Sequence, residues 1–239
     1  METRMKNHGK LILGTALVGV LALVGMYLYR GYLSRRSAAV ISFLNSPDTH
    51  PDWKTPALLR CPDAPFSFPS EGFVGYLWGD SFKLFHKHQG IDIFGGSQVG
   101  VTPVYAPYDG FLTREAGWKS SLIIRVPDDP LNPGSQIWLY MTHLADPQGE
   151  SLITADFPPG TQDKPVRRGD LLGYQGNYSG NPQSPTGVHL HFSIVRDDGT
   201  GNYLNELDFE NTLDPSPYFR LPLNARTNKD SIPRCSSGN

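Results

Sequence analysis

Hydrophobic positions fall into one long apolar segment near the N-terminus and, after residue 68, a series of short runs divided by turn residues. Leu11 to Tyr29 carries no charge for 19 residues. At about 1.5 Å rise per residue it nearly spans a hydrocarbon core of about 30 Å, which predicts a transmembrane anchor. Tyr27, Tyr29 and Tyr32 stand at its C-terminal edge, where aromatic rings favour the membrane interface. A cleaved signal peptide is the competing reading, because a basic segment precedes the run. Against it, the run exceeds the usual apolar core of roughly 7–15 residues, and Arg30, Arg35 and Arg36 follow where small residues are expected. Three Lys/Arg residues lie on each side, so charge does not orient the helix.

Between residues 30 and 67 the prolines at 47, 51, 56, 62 and 65 predict a juxtamembrane linker after a short helical continuation through Leu44. From Phe68 the apolar runs are strand-length: 72–78, 104–106, 110–113, 121–126, 137–142, 171–174 and 189–195. Asp109-Gly110, Asn132-Pro133-Gly134 and Asp198-Gly199 supply turn chemistry between them. No useful helical period appears there, so residues 68–222 are expected to form an all-β domain with an antiparallel sheet. Residues 1–10 precede the anchor, and 223–239 form a polar tail that is loose unless Cys235 pins it.

Composition supports the β reading, with 25 glycines and 21 prolines in 239 residues. Residues 1–36 hold six basic side chains against Glu2 alone, so the rest of the 21 basic and 23 acidic residues carries a formal charge of −7. That acidic balance argues against nucleic acid as a partner. Cys61 and Cys235 have no zinc-finger or redox-motif spacing. They flank the domain, so a disulfide joining its ends is one reading and two unpaired thiols the other.

The chemistry centres on Gly187-Val188-His189-Leu190-His191-Phe192. In a strand, His189 and His191 share one face while Leu190, Phe192 and Ile194 take the other. Upstream, His88-Gln89-Gly90-Ile91-Asp92 places an imidazole and a carboxylate on one side of the chain, and Tyr140-Met141-Thr142-His143 adds a further histidine. His88, Asp92 and one histidine of the His-Leu-His strand would give three protein ligands and an open position, the pattern of a catalytic zinc site. His86 reads as a rim histidine. Trp78, Trp118 and Trp138 read as packing residues, and the Asp128-Asp129 and Asp197-Asp198 pairs as solvated turns.

These three motifs, in this order and at these separations, resemble the lysostaphin-type (LytM-like) zinc endopeptidases that cut peptidoglycan peptides. The resemblance spans about residues 68–220 and takes in Pro69 to Val74 with Trp78-Gly79, Thr102 to Gly110, Val166 to Gly176, and Asp214-Pro215 through Tyr218-Phe219. It implies one Zn2+ per domain held by His88, Asp92 and His191, with His143 and His189 as the catalytic pair and Tyr76 as a possible oxyanion or substrate contact. The implied partners are peptidoglycan peptides and, through the anchor, the membrane. The implied location is single-pass with a cytoplasmic N-terminus and the domain outside, or secreted after signal cleavage. Ser193 departs from the Glu or Gln that the family often carries there, and the 93–100 and 128–136 stretches are expected to reshape the cleft. A non-catalytic envelope protein that uses the same fold for binding or regulation is the alternative; the complete ligand set weighs against it.

Overall fold

A computed structural model describes residues 18–28, 36–81, 86–228 and 232–235. Every strand pairing in it is antiparallel. The main sheet contains β1 (Lys54–Thr55), β2 (Gly72–Tyr76), β3 (Ile91–Phe94), β5 (Gly110–Arg114), β6 (Leu122–Val126), β7 (Ile137–Thr142), β8 (Thr161–Val166) and β10 (Leu190–Arg196). Their spatial order is β1-β2-β3-β10-β7-β6-β5-β8, with β11 (Thr212–Leu213) added to β10. A second, two-stranded sheet pairs β4 (Pro103–Tyr105) with β9 (Leu171–Tyr174).

Alternation explains why β10 lies in the middle of the main sheet. Leu190, Phe192 and Ile194 are fully covered and join a core with Ile91, Ile93, Leu139, Met141 and Phe219. The opposite set, His191 and Ser193, is also buried, so both faces of the strand are used. β8 escaped the sequence pattern for a physical reason. Its residues Thr161-Gln162-Asp163-Lys164-Pro165-Val166 are mostly exposed at the sheet edge, where polar residues and a proline are tolerated and no apolar period is required.

The proline-spaced stretch after the apolar segment packs onto the domain. Residues 36–45 are helical and set Val40 and Phe43 against Phe73 and Phe94. Farther on, β1 pairs with β2, and Cys61, Ala64 and Phe66 enter the main core. Its prolines thus punctuate a chain whose apolar residues still find a surface to cover. At the other end, Leu223 and Ala225 are buried, and Cys61 is disulfide-bonded to Cys235 with their Cα atoms 5.4 Å apart.

Residues 18–28, the described part of the expected anchor, are helical, and Val18, Leu21, Leu23 and Tyr27 are exposed. The rest of Leu11–Tyr29 lies outside the described residues. No helix among the described residues is long and apolar enough to cross a membrane.

The disulfide closes a loop across 174 positions, nearly the whole domain. Unreduced, denatured protein should titrate no free thiol, and two after reduction. Replacing both cysteines by serine should lower the unfolding free energy by about 2–5 kcal/mol in a denaturant titration.

Candidate metal centre and catalytic groove

The site is laid out by strand register. Across the sheet, Tyr76 of β2 stands opposite Asp92 of β3, Asp92 opposite His191 of β10, and His191 opposite Thr142 of β7. His143 follows Thr142 directly, and His189 precedes His191 by two, on the same face. His88 comes from the turn before β3. Its backbone N–H donates to Asp80 O at 2.7 Å, and its carbonyl accepts from Gly79 N–H at 2.8 Å. Gly90, between His88 and Asp92, lies against β10 so closely that a Cβ there would collide with the Phe192 carbonyl. Glycine is what lets the first ligand segment reach the strand that carries the others.

His88 Nε2, Asp92 Oδ1 and His191 Nδ1 converge on one point. His88 Nε2 lies 3.1 Å from both Asp92 Oδ1 and His191 Nδ1, and the latter two are 2.9 Å apart. All three residues are buried, and together they could hold a metal ion. The other ring nitrogens decide the tautomers. His88 Nδ1 is 3.1 Å from the Leu77 carbonyl, which can only accept, so Nδ1 carries the hydrogen and Nε2 turns its lone pair inward. His191 has a carboxylate on each side, Glu206 Oε1 2.9 Å from Nε2 and Asp92 Oδ1 2.9 Å from Nδ1; with a cation between Nδ1 and Asp92, its hydrogen stays on Nε2 towards Glu206 and Nδ1 turns a lone pair inward. In that state two lone pairs and a carboxylate oxygen face one another, an arrangement that suits a cation. The donor set fits zinc.

His143 and His189 form a second pair, ring centroids 4.4 Å apart. His143 Nδ1 donates to Tyr178 O at 2.7 Å, and His189 Nδ1 to Gly187 O at 2.7 Å, so both present an Nε2 lone pair. The His189 Nε2 lies 3.7 Å from Asp92 Oδ1, and its ring stacks on Phe94 at 4.9 Å. His143 adopts φ 72°, a left-handed conformation unfavourable for a residue with a Cβ. That backbone turn ends β7.

Electrostatics separate the groups. Burial pushes the His143 pKa down to about 3, with His189 beside it adding to the effect. Burial likewise lowers His189, against the opposing pull of Asp92. For His191 burial also acts downward, but the Asp92 and Glu206 carboxylates override it and push the pKa up to about 10, so without a cation beside it the ring holds a proton on Nδ1 as well. Burial alone would raise Asp92; the surrounding imidazoles hold it well below the usual carboxylate range.

All six candidates read from the sequence, Tyr76, His88, Asp92, His143, His189 and His191, line one groove of about 720 Å³. His86 also borders it but is not among the three converging ligands. Ser37, Val40, Ile41 and Leu44 of the 36–45 helix form one wall, with Ser37 Oγ 2.9 Å from the Tyr76 hydroxyl. No local pattern marks that wall, since Ser37 has no motif around it. Nor was Glu206 foreseen, a lone acid in a polar loop. The 93–100 and 128–136 stretches behave differently from expectation. Apart from Phe94, neither contributes to the groove: 95–98 border a separate hollow with Pro47 and Lys54, and Asp129 to Gln136 another with Asp197 and Tyr218. Asp129 is buried and accepts the Tyr218 hydroxyl at 2.9 Å, so it is a core acceptor and not a solvated turn residue. The tryptophans pack as expected: Trp78 stacks on Phe209, Trp118 meets Tyr140 edge-on, and Trp138 donates to Asp197.

No family model matches the chain, and a search of curated proteins returns no match. Solved structures do match. The antimicrobial peptidase lysostaphin from Staphylococcus simulans aligns over 66% of this chain at 18% identity with a TM-score of 0.38, and the chain spans half of that protein's length. The lysostaphin catalytic domain aligns over 62% of this chain and 90% of its own, at 20% identity and a TM-score of 0.39. A variant of the catalytic domain of the prophage-encoded M23 protein EnpA from Enterococcus faecalis aligns over 55% and 86%, at 20% identity and 0.35.

His143 offers a pH test of the site's electrostatics. With its folded pKa near 3 and an ordinary value of 6.5, the unfolded chain binds a proton between those limits that the folded domain refuses. Stability therefore falls as pH drops through that window, by at most about 1.4 kcal/mol per pH unit for this one group. His143→Asn, which tolerates the left-handed backbone, should show a shallower acid slope when unfolding free energy is measured against pH.

Proposed function

We propose that the domain is a zinc metalloendopeptidase that hydrolyses peptide bonds in the stem peptides or cross-bridges of peptidoglycan. The convergence of His88 Nε2, Asp92 Oδ1 and His191 Nδ1, with the outer nitrogen of each imidazole held by an acceptor, carries this reading. Three protein ligands, not four, is the count of catalytic zinc sites. Zinc held there supplies Lewis acidity towards a peptide carbonyl and lowers the pKa of water towards about 7.

His143 and His189 manage protons in this scheme. Each has its Nδ1–H committed to a backbone carbonyl, so each can accept a proton only at Nε2. Once it has done so, the same nitrogen becomes a donor. One imidazole thus takes a proton from the attacking water and delivers it to the leaving amine, while the other, also an acceptor at Nε2, can orient that water by accepting its second hydrogen. Depressed pKa values keep the pair in the accepting form at neutral pH. Tyr76, at the end of the same transverse row, lines the groove, which supports a role in touching substrate. The motif resemblance supports a peptidoglycan substrate, and the Cys61–Cys235 disulfide suits a compartment outside the cytoplasm.

Purified cell walls incubated with the zinc-loaded protein should release new amino termini, and a chelator should stop the release. No release from any of several wall types would refute the assignment. His191→Ala should lose metal binding along with activity. His189→Ala should keep the metal and lose activity by about 10²–10⁴-fold.

A further inference from the structure

Among the four histidines of the candidate site, three are oriented by backbone carbonyls: His88 by Leu77, His143 by Tyr178 and His189 by Gly187. His191 differs. Its outer nitrogen meets a side chain, the Glu206 carboxylate, at 2.9 Å. We infer that Glu206 is the positioning residue of the metal centre, locking His191 in the tautomer and ring angle that aim Nδ1 at Asp92 and His88; this rests on the zinc reading above.

Glu206 is not itself a ligand. Asp92 approaches His191 at Nδ1 and Glu206 at Nε2, so the two carboxylates lie on opposite edges of one imidazole. The side chain is only 14% exposed, and the same oxygen lies 3.4 Å from Ser193 Oγ, on the same strand face as His191. A small residue at 193 leaves room for an acid arriving from elsewhere in the chain. The loop that brings it is fastened to the first ligand segment: Gln89, next to His88, donates from Nε2 to Leu207 O at 2.8 Å. Within the loop, Asn211 Nδ2 donates to Asn205 O at 2.9 Å. Gln89 and Glu206 therefore link the segments that carry His88 and His191 through one loop. A carboxylate on the outer nitrogen of a metal-binding imidazole fixes its orientation and raises its basicity, and losing such a partner costs about 10–100-fold in metal affinity.

The test is zinc affinity, measured by competition with a chromophoric chelator, for the wild-type chain, E206A, E206Q and S193A. E206A should bind zinc about 10–100-fold more weakly. E206Q, whose amide oxygen still accepts the Nε2 hydrogen, should recover part of the loss, and S193A should bind almost as the wild type does. In proton NMR of the zinc-loaded protein, a slowly exchanging His191 Nε2–H resonance should be present in the wild type and absent from E206A. This signal reports on the hydrogen bond itself, and E206Q supplies it should E206A fail to fold. Wild-type affinity in both Glu206 variants would overturn the positioning role and leave the metal centre standing. A wild-type protein that binds no zinc would overturn both.

Discussion

The site depends on one cross-strand pair, Asp92 against His191, whose residues lie 99 positions apart in sequence. Because side chains alternate along a strand, a slip of one residue between β3 and β10 would turn isoleucines and Leu190 or Phe192 towards the groove and the ligands towards the core. Core packing prevents the slip. Ile91, Ile93, Leu190, Phe192 and Ile194 are all fully covered on one side of these strands, so the register that buries them is the register that assembles the ligands. Gly90 adds a steric condition, since any side chain there would strike the Phe192 carbonyl. Stability and chemistry thus share a single constraint.

Once the register is set, imidazole orientation is a hydrogen-bonding problem. A neutral imidazole has one donor and one acceptor, so whatever holds the outer nitrogen determines what the inner one offers. Carbonyls of Leu77, Tyr178 and Gly187 belong to the backbone and follow from the fold. The Glu206 carboxylate is a matter of residue identity and brings charge as well as an acceptor. This division explains the opposite electrostatic fates of the histidines. His143 and His189, with carbonyl partners, are driven neutral by burial, while His191, between two carboxylates, is driven towards positive charge.

The N-terminal part of the domain shapes the groove without supplying a ligand. Arg36 pairs with the buried Asp80 at 2.8 Å, and the Asp80 carboxylate accepts from Leu77 N–H in the turn that also holds His88. Val40 and Phe43 cover Phe73 and Phe94, and Phe94 in turn stacks on His189. The helix therefore leans on the same residues that frame the His143–His189 pair, which makes it a wall of the groove and not a spacer.

By itself the sequence determined most of the strands and the all-β class, because period-2 alternation is local, and the resemblance of its motifs pointed to the six candidate site residues. Where locality failed, so did legibility. β8 is polar at an edge, β1 and β11 have two residues each, and the linker prolines concealed apolar side chains whose partners are distant. The expected role of the 128–136 loop in the cleft failed for the same reason, since spacing along the chain does not say which hollow a loop borders. Only the tertiary structure decided that Cys61 meets Cys235, that the 36–45 helix walls the groove, and that Glu206 reaches His191. Each is a contact between segments whose proximity depends on how the whole sheet is ordered, and no local pattern encodes that order.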